Sequence, residues 1–197
     1  KTAVSGTGPP DIGSMEEGSN VNLLVEIVSA KDLPIADVAG ATDAYVIVRM
    51  KNNELHRTHR IDDNLNPIWT LETGSLFMIR MSAEEFFAAT SGISFVVKDF
   101  DIGSKHDDLG SVTVTPTEAM SGKGERKEYK IDLAKEFKNK TEKKTPKLCL
   151  RFKQASQKDI EVRTRSRMER TLTALFSSWK PIKTHPKSMV STRKKAS

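Results

Sequence analysis

The feature that most constrains the fold is a succession of short β-type segments between Val21 and Gln154. Runs of β-branched and apolar residues alternate with turn residues, which indicates many short strands. Within residues 45–49 and 147–152 every second side chain can face a core. Only residues 83–89 look helical, so the sequence predicts an all-β fold, an eight-stranded antiparallel β-sandwich. The predicted strands are Asn22–Ser29, Asp43–Met50, Glu54–Arg60, Trp69–Met78, Ile93–Lys98, Gly110–Thr115, Lys127–Asp132 and Lys147–Lys153.

The segments that flank this region have a different composition. Residues 1–20 are polar and rich in Gly, Ser and Pro, and we expect a disordered leader because they offer little apolar surface to offset the entropy of ordering. Residues 155–197 hold eleven Lys or Arg and three acidic residues, whereas the whole chain has a net charge of +6. The predicted domain, residues 21–154, is therefore near neutral, which argues against a nucleic-acid-binding domain with a basic face.

The basic C-terminal segment contains one apolar stripe at helical spacing: Met168, Leu172, Leu175, Phe176 and Trp179. A basic amphipathic helix of this kind is typical of segments that lie in a membrane interface or enter a groove of a protein partner. The alternative is that the stripe packs on the sandwich or on a following domain.

Several other features narrow the function. Cys149 is the single cysteine, so no internal disulfide can form, and we expect a reducing, cytoplasmic setting. No run approaches the roughly 20 apolar residues of a membrane-spanning helix, and no signal peptide is recognisable. The common hydrolase, nucleotide-binding and zinc-protease motifs are missing, so these residues predict no enzyme. Lys135–Lys144 is predicted to be a solvated charged loop.

Aspartates gather where predicted strands end. Asp37 and Asp43 bracket the loop after the first strand, Asp99 and Asp101 end the fifth, and Asp107 and Asp108 close the loop that follows. Two loops at one end of a sandwich lie side by side, so these carboxylates should converge and repel one another unless a cation neutralises them. Calcium takes six to eight oxygen ligands, whereas zinc prefers Cys or His.

Two alternatives account for the aspartates less well. Aspartate is common in turns, which would explain some of these residues but not the D-x-D pair together with the matching loop. An EF-hand loop that began at Asp99 would need Gly in place of Ser104 and Glu in place of Gly110. The sequence therefore favours a calcium site built from two loops.

These segments together resemble the C2 domain family. Leu23–Pro34 is similar to the opening strand and loop of a C2 domain, and Ala41–Val46 is similar to its S-D-P-Y-V motif, with Ala44 in place of Pro. Asn64–Trp69 resembles its L-N-P-x-W motif, and residues 97–101 with 105–110 resemble its third calcium loop. The resemblance covers about Val21 to Gln154.

The resemblance implies that this chain has the family's calcium ligands. They fall on Asp37, Asp43, Asp99, Asp101 and Asp107. It further implies a module that binds anionic phospholipid, above all phosphatidylserine and secondarily phosphoinositide. The matching lipid contacts are Val38 and Ile102 at the loop tips, Ser104 and Lys105 beside them, and a basic patch of Arg49, Lys51 and Arg57, with His59 and Arg60 on the same strands. An ordinary solvated sheet face explains that patch about as well.

Two further alternatives stay open. C2 domains often target a catalytic domain, so one alternative is that the chain belongs to a lipid-metabolising enzyme or a kinase. A calcium-independent protein-interaction domain is the other alternative, although the complete set of aspartates argues against it.

Overall fold

The structure, a computed structural model, describes residues 19–35, 42–101, 106–135, 137 and 144–162. The described residues up to 154 form nine strands and two short helices. The strands are β1 (Asn20–Lys31), β2 (Ala44–Met50), β3 (Asn53–Arg57), β4 (Leu76–Ser82), β5 (Ile93–Asp99), β6 (Asp108–Val114), β7 (Lys123–Lys130), β8 (Asp132–Leu133) and β9 (Lys147–Gln154). The helices are α1 (Ala83–Phe87) and α2 (Pro116–Met120).

The strands form two antiparallel sheets. Sheet A has the order β4-β1-β9-β7, and sheet B has the order β3-β2-β5-β6-β8. The last of the described strands, β9, therefore lies between β1 and β7. This arrangement confirms the predicted all-β antiparallel sandwich.

The core follows from the alternation of side chains along the strands. In β1 alternate residues from Val21 to Ile27 are buried, and in β9 the buried residues are Leu148, Leu150 and Phe152. Phe152 meets Phe95 of sheet B edge to face, with 6.0 Å between the ring centroids. Because successive side chains of a strand point to opposite faces, the residues between these positions form the outer face of each sheet.

The strand predicted at Trp69–Met78 begins later, at Leu76. Residues 71–74 form a turn instead, in which the Ser75 N–H donates to the Thr70 carbonyl at 2.8 Å and the hydroxyls of Thr70 and Thr73 satisfy nearby amides. Local hydrogen bonds of Thr compete with a sheet ladder in this way. The sequence also did not predict α2, although Thr115 caps its N-terminus and Pro116 occupies its first turn.

The two ends of the sandwich differ in what they contain. The loop end comprises the connections 32–43 and 100–107. The helix end comprises α1, which follows β4, and α2, which follows β6. Asn20 pairs with Ser82 and Ile93 pairs with Val114, so both helices lie at the end of the strands away from the aspartates.

The chain divides into two compact units, Lys1–Ala155 and Ser156–Ser197. In the second unit the structure describes residues 156–162, of which 157–162 are helical. Ser156 begins this helix, since its hydroxyl accepts from the Asp159 N–H at 3.3 Å. The stripe at residues 168–179 and most of the predicted leader lie outside the described residues. Among the described helices, none combines the length and apolar character needed to cross a membrane.

Candidate metal centre

Asp43 and Asp99 are neighbours because β2 and β5 pair in a fixed register. Ala44 lies opposite Asp99. The Asp43 N–H donates to Asp99 Oδ1 at 2.7 Å, and the Phe100 N–H donates to the Asp43 carbonyl at 3.1 Å. Asp99 is on the core side of β5 and is only 2% exposed. The two predicted loops therefore meet at a buried carboxylate.

Asp101 and Asp107 close the connection between β5 and β6. The Asp107 N–H donates to Asp101 Oδ2 at 3.3 Å, and the Asp99 N–H donates to the Asp107 carbonyl at 2.9 Å. Together with the Asp43–Asp99 contact, these bonds join four of the five predicted ligands into one cluster. The fifth, Asp37, lies outside the described residues.

The L-N-P-x-W segment, Asn64–Trp69, forms hydrogen bonds to residues at both ends of the first loop. Asn66 Oδ1 accepts the Asp32 N–H at 3.0 Å, and the Leu33 N–H donates to the Leu65 carbonyl at 3.0 Å. At the other stem of the loop, the Asn64 N–H donates to the Thr42 carbonyl at 2.9 Å. Both stems are thus fixed to one rigid segment, which helps to position Asp43.

Gly110 permits a close crossing that brings a lysine to the cluster. A Cβ at Gly110 would lie 2.5 Å from the Asp132 carbonyl oxygen, so only glycine lets β8 approach β6 this closely. Two residues after β8, Lys135 Nζ donates to Asp107 Oδ2 at 2.7 Å. Lys135 also lies over the Phe137 ring, 5.5 Å from its centroid. The predicted solvated loop therefore begins with a lysine attached to the cluster.

Further basic side chains border the aspartates. Arg60 stacks over Phe100 with its Cζ 4.3 Å from the ring centroid, and it lies 2.8 Å from Asp62 and 4.0 Å from Asp43. Lys98 pairs with Asp108, so Asp108 serves as a partner for a sheet lysine rather than for the cluster. Lys135 and Arg60 therefore place positive charge next to a group of anionic side chains.

The chemistry of the donors fits a hard cation such as calcium, since every ligand predicted here is a carboxylate oxygen. Within the described residues, however, no three His, Cys, Asp or Glu side chains are arranged to hold one ion. The carboxylates of Asp43, Asp99 and Asp101 accept backbone amides, and that of Asp107 accepts Lys135. Calcium binding would require some of these oxygens to turn toward the ion.

The predicted lipid contacts divide into two groups. Val38, Ile102, Ser104 and Lys105 lie outside the described residues. Arg49, Lys51 and Arg57 are on or beside β2 and β3, and the structure places them away from the aspartate cluster. Arg57 forms two hydrogen bonds to Glu54, at 3.1 and 2.9 Å, so part of the predicted basic patch is neutralised within the sheet.

Sequence reasoning did not place Lys135 or Arg60 beside the aspartates. Lys135 is 28 positions from Asp107 and stands in a run of charged residues, so no local pattern distinguishes it from its neighbours. Arg60 has a weak signal: it follows a strand and precedes the motif segment at Asn64–Trp69. Both contacts depend on the crossing of distant segments at the loop end.

Comparison with known proteins identifies the fold. The C2 domain family model matches residues 21–131, more than half of the chain. Synaptotagmin-4 of Arabidopsis thaliana is 33% identical over 132 residues, which cover 66% of this chain and 21% of that protein. Synaptotagmin-1 of Caenorhabditis elegans is 34% identical over 96 residues, or 47% of this chain and 20% of that protein.

The structural comparison agrees. A C2 domain of plant extended synaptotagmin 1 aligns with a TM-score of 0.51 and 18% identity, covering 70% of this chain and 97% of that domain. Human GIVD cytosolic phospholipase A2 aligns with a TM-score of 0.50 and 18% identity, covering 68% of this chain and 17% of that protein. At these identities the likeness concerns the fold alone, and the chain spans about a fifth of the two synaptotagmins above. The predicted resemblance is confirmed, and the chain belongs to the C2 domain family.

Proposed function

We propose that this C2 domain binds calcium through Asp37, Asp43, Asp99, Asp101 and Asp107, and through calcium binds anionic phospholipid membranes. The observation that carries the proposal is the convergence of four of these aspartates, from two loops, in one hydrogen-bonded cluster. Membership in a family that includes synaptotagmins supports a role in membrane targeting.

Calcium binding would change the charge of the loop end from negative toward positive. Without a cation, the clustered carboxylates repel an anionic bilayer. Bound calcium would supply positive charge and open positions for phosphate or carboxylate oxygens of a lipid headgroup. The Asn64–Trp69 segment holds the stems of the first loop, which helps to position Asp43 for the ion.

Phosphatidylserine is the proposed target, with phosphoinositide as the second choice. Val38 and Ile102 are the only bulky apolar residues predicted at the tips, and Ser104 and Lys105 would meet headgroups. We therefore expect attachment to be mainly electrostatic, and calcium would recruit the chain from the cytoplasm to the membrane. Raising the salt concentration from 0.1 M to 1 M shortens the Debye length from about 10 Å to about 3 Å, so the complex should dissociate.

The test is the double substitution Asp99→Asn and Asp101→Asn. Calorimetric titration should show that calcium binding is lost, while thermal unfolding shows that the fold is kept or stabilised because like charges have been removed. Vesicles that contain phosphatidylserine should then fail to sediment the variant in calcium. The matched control is Glu84→Gln with Glu85→Gln, which removes two charges from α1 at the helix end. If the double variant bound calcium with an affinity close to that of the parent chain, the proposed site would be wrong.

The same titration decides the remaining alternative. A parent chain that shows no heat of calcium binding would be a calcium-independent interaction module. The prediction that the module targets a larger protein, such as a lipid-metabolising enzyme or a kinase, is a separate proposal. The complete coding sequence tests it.

A further inference from the structure

The outer faces of the two sheets carry very different charge. Strand registers place eight basic and two acidic residues on the outer face of sheet A, a net charge of +6. The acidic residues are Glu26 and Glu128. Lys31 lies on β1 and Arg80 on β4, and the other six basic residues are on β7 and β9: Lys123, Arg126, Lys130, Lys147, Arg151 and Lys153.

The outer face of sheet B is balanced by direct pairing. Arg49 lies opposite Glu54, and Lys98 lies opposite Asp108, with which it forms an ion pair. Arg57 also pairs with Glu54. With Asp132 on β8, this face has three basic and three acidic residues. The basic residues of this face therefore each have an acidic neighbour.

On sheet A, Glu26 lies opposite Arg151 and forms an ion pair with it, but several other registers oppose like charges. Arg126 faces Arg151, Lys130 faces Lys147, and Lys147 also faces Lys31. Like charges directly across a strand pair destabilise a sheet. Glu128 offsets part of this repulsion by accepting from Lys31 at 2.6 Å and from Lys147 at 2.9 Å. The positive charge of this face is not explained by the stability of the fold.

The shape of the face indicates what would neutralise it. The basic side chains are spread over a four-stranded sheet, and Arg126, Lys130 and Lys153 are exposed. At its β1–β4 side the face carries half-buried Leu24, Leu76 and Met78, beside a shallow pocket that Arg151 and Lys153 also line. Dispersed charge beside apolar side chains suits a broad anionic surface better than one small anion, since no buried cradle concentrates the cations.

We propose that the outer face of sheet A is a second, calcium-independent contact for an anionic lipid surface. It is distinct from the aspartate loops, which lie at the end of the strands, and from the patch of Arg49, Lys51 and Arg57 on the other sheet. The proposal goes beyond calcium-dependent binding and does not require it. Attraction between basic residues and an anionic bilayer acts without a metal ion.

The test uses two triple variants of the full chain that remove the same charge. The first is Arg126→Gln, Lys130→Gln and Lys153→Gln on sheet A, and the second is Arg49→Gln, Lys51→Gln and Arg57→Gln at sheet B. Binding to vesicles of equal parts phosphatidylcholine and phosphatidylserine is measured in EDTA at low salt. We expect the sheet A variant to bind at least about tenfold more weakly than the parent, since each basic residue adds to attraction at an anionic surface.

The other outcomes are equally informative. The sheet A variant should melt at the temperature of the parent or above it, because like-charge repulsion has been removed, so weaker binding cannot be attributed to unfolding. Equal losses in both variants would show that net charge matters rather than the face, and would overturn the proposal. So would unchanged vesicle binding accompanied by weaker binding to polyglutamate, which would indicate an acidic protein partner. Repeating the measurement with calcium separates this test from the calcium proposal. The sheet A variant should keep the increase in vesicle binding that calcium causes. The variant with Asp99→Asn and Asp101→Asn should lose that increase and keep the binding measured in EDTA.

Discussion

The loop end and the helix end of the sandwich are built from different interactions. At the helix end, Phe86 of α1 is completely buried, and Ala119 and Met120 of α2 join the same core. At the loop end, the aspartates meet through part-buried hydrogen bonds, and Lys135 and Arg60 join them through ion pairs at the surface. Burial of apolar surface contributes far more to folding than exposed ion pairs do. We therefore expect changes at the helix end to alter stability and changes at the loop end to alter binding.

The largest predicted effect is at the helix end. Phe86→Ala removes a fully buried ring and should lower the free energy of unfolding by about 3–5 kcal/mol. Denaturant unfolding measures this loss. Calcium affinity of the folded fraction, measured at low temperature, should equal that of the parent.

Phe87→Ala is the matched control. Phe87 contacts Phe86 edge to face, with 5.3 Å between the ring centroids, but it is only half-buried. Its loss should therefore destabilise the chain less. A fall in calcium affinity with Phe86→Ala alone would show that the two ends are coupled through the core, contrary to the comparison.

Two substitutions that should destabilise the fold by similar amounts test whether the two ends have different roles. Asn66→Ala removes the acceptor of the Asp32 N–H at the base of the first loop, and Ser82→Ala removes the cap of α1, which accepts from the Glu85 N–H at 3.1 Å. Each should lower the free energy of unfolding by about 1 kcal/mol. Only Asn66→Ala should weaken calcium binding, because it releases a stem of the loop that carries Asp43. Calorimetric titration of both variants checks this, and equal affinities would show that the loop does not need its support.

The fold could be predicted further than the site. Alternation in β1 and β9 determines which side chains are buried, so both strands were predicted within about two residues, the usual uncertainty of element ends. The meeting of Asp43 with Asp99 was also predictable, because adjacent loops of a sandwich carry them. The basic side chains around the cluster could not be predicted, because Lys135 reaches Asp107 only where Gly110 allows β8 to cross β6 closely. Such contacts depend on tertiary approach and leave no periodic pattern in the sequence.

A smaller effect is expected at Lys135. Lys135→Gln removes the ammonium group that Asp107 Oδ2 accepts, so calcium no longer competes with it for this carboxylate. An exposed pair contributes at most about 1 kcal/mol, so calcium affinity should rise by up to about fivefold, while stability hardly changes. Isothermal titration measures the affinity.

Lys127→Gln provides a matched control for this prediction. Lys127 also pairs with a carboxylate, that of Glu118, and lies 4.9 Å from the centroid of the Tyr129 ring, but it belongs to the helix end. Its calcium affinity should equal that of the parent. If both variants bind calcium more tightly to the same extent, net charge rather than the Asp107 contact sets the affinity.

The smallest effect concerns a carboxylate on sheet A near the loop end. Hydrogen bonds from Lys31 and then Lys147 lower the pKa of Glu128 from 4.5 to about 2. Because the folded pKa lies below the unfolded value, this contribution to stability is present above about pH 4.5 and is lost as the pH falls through about 2. The carboxylate is exposed, so the effect on stability should be slight, but its titration is observable by carbon-detected NMR.

Lys31→Gln should raise the Glu128 pKa more than Lys147→Gln does, since the Lys31 bond is the shorter one. Glu54, whose pKa is lowered by its hydrogen bond to Arg57 on the other sheet, is the internal control and should titrate identically in both variants. A Glu128 midpoint near 4.5 in the parent chain would mean that the two lysines do not hold this carboxylate in solution.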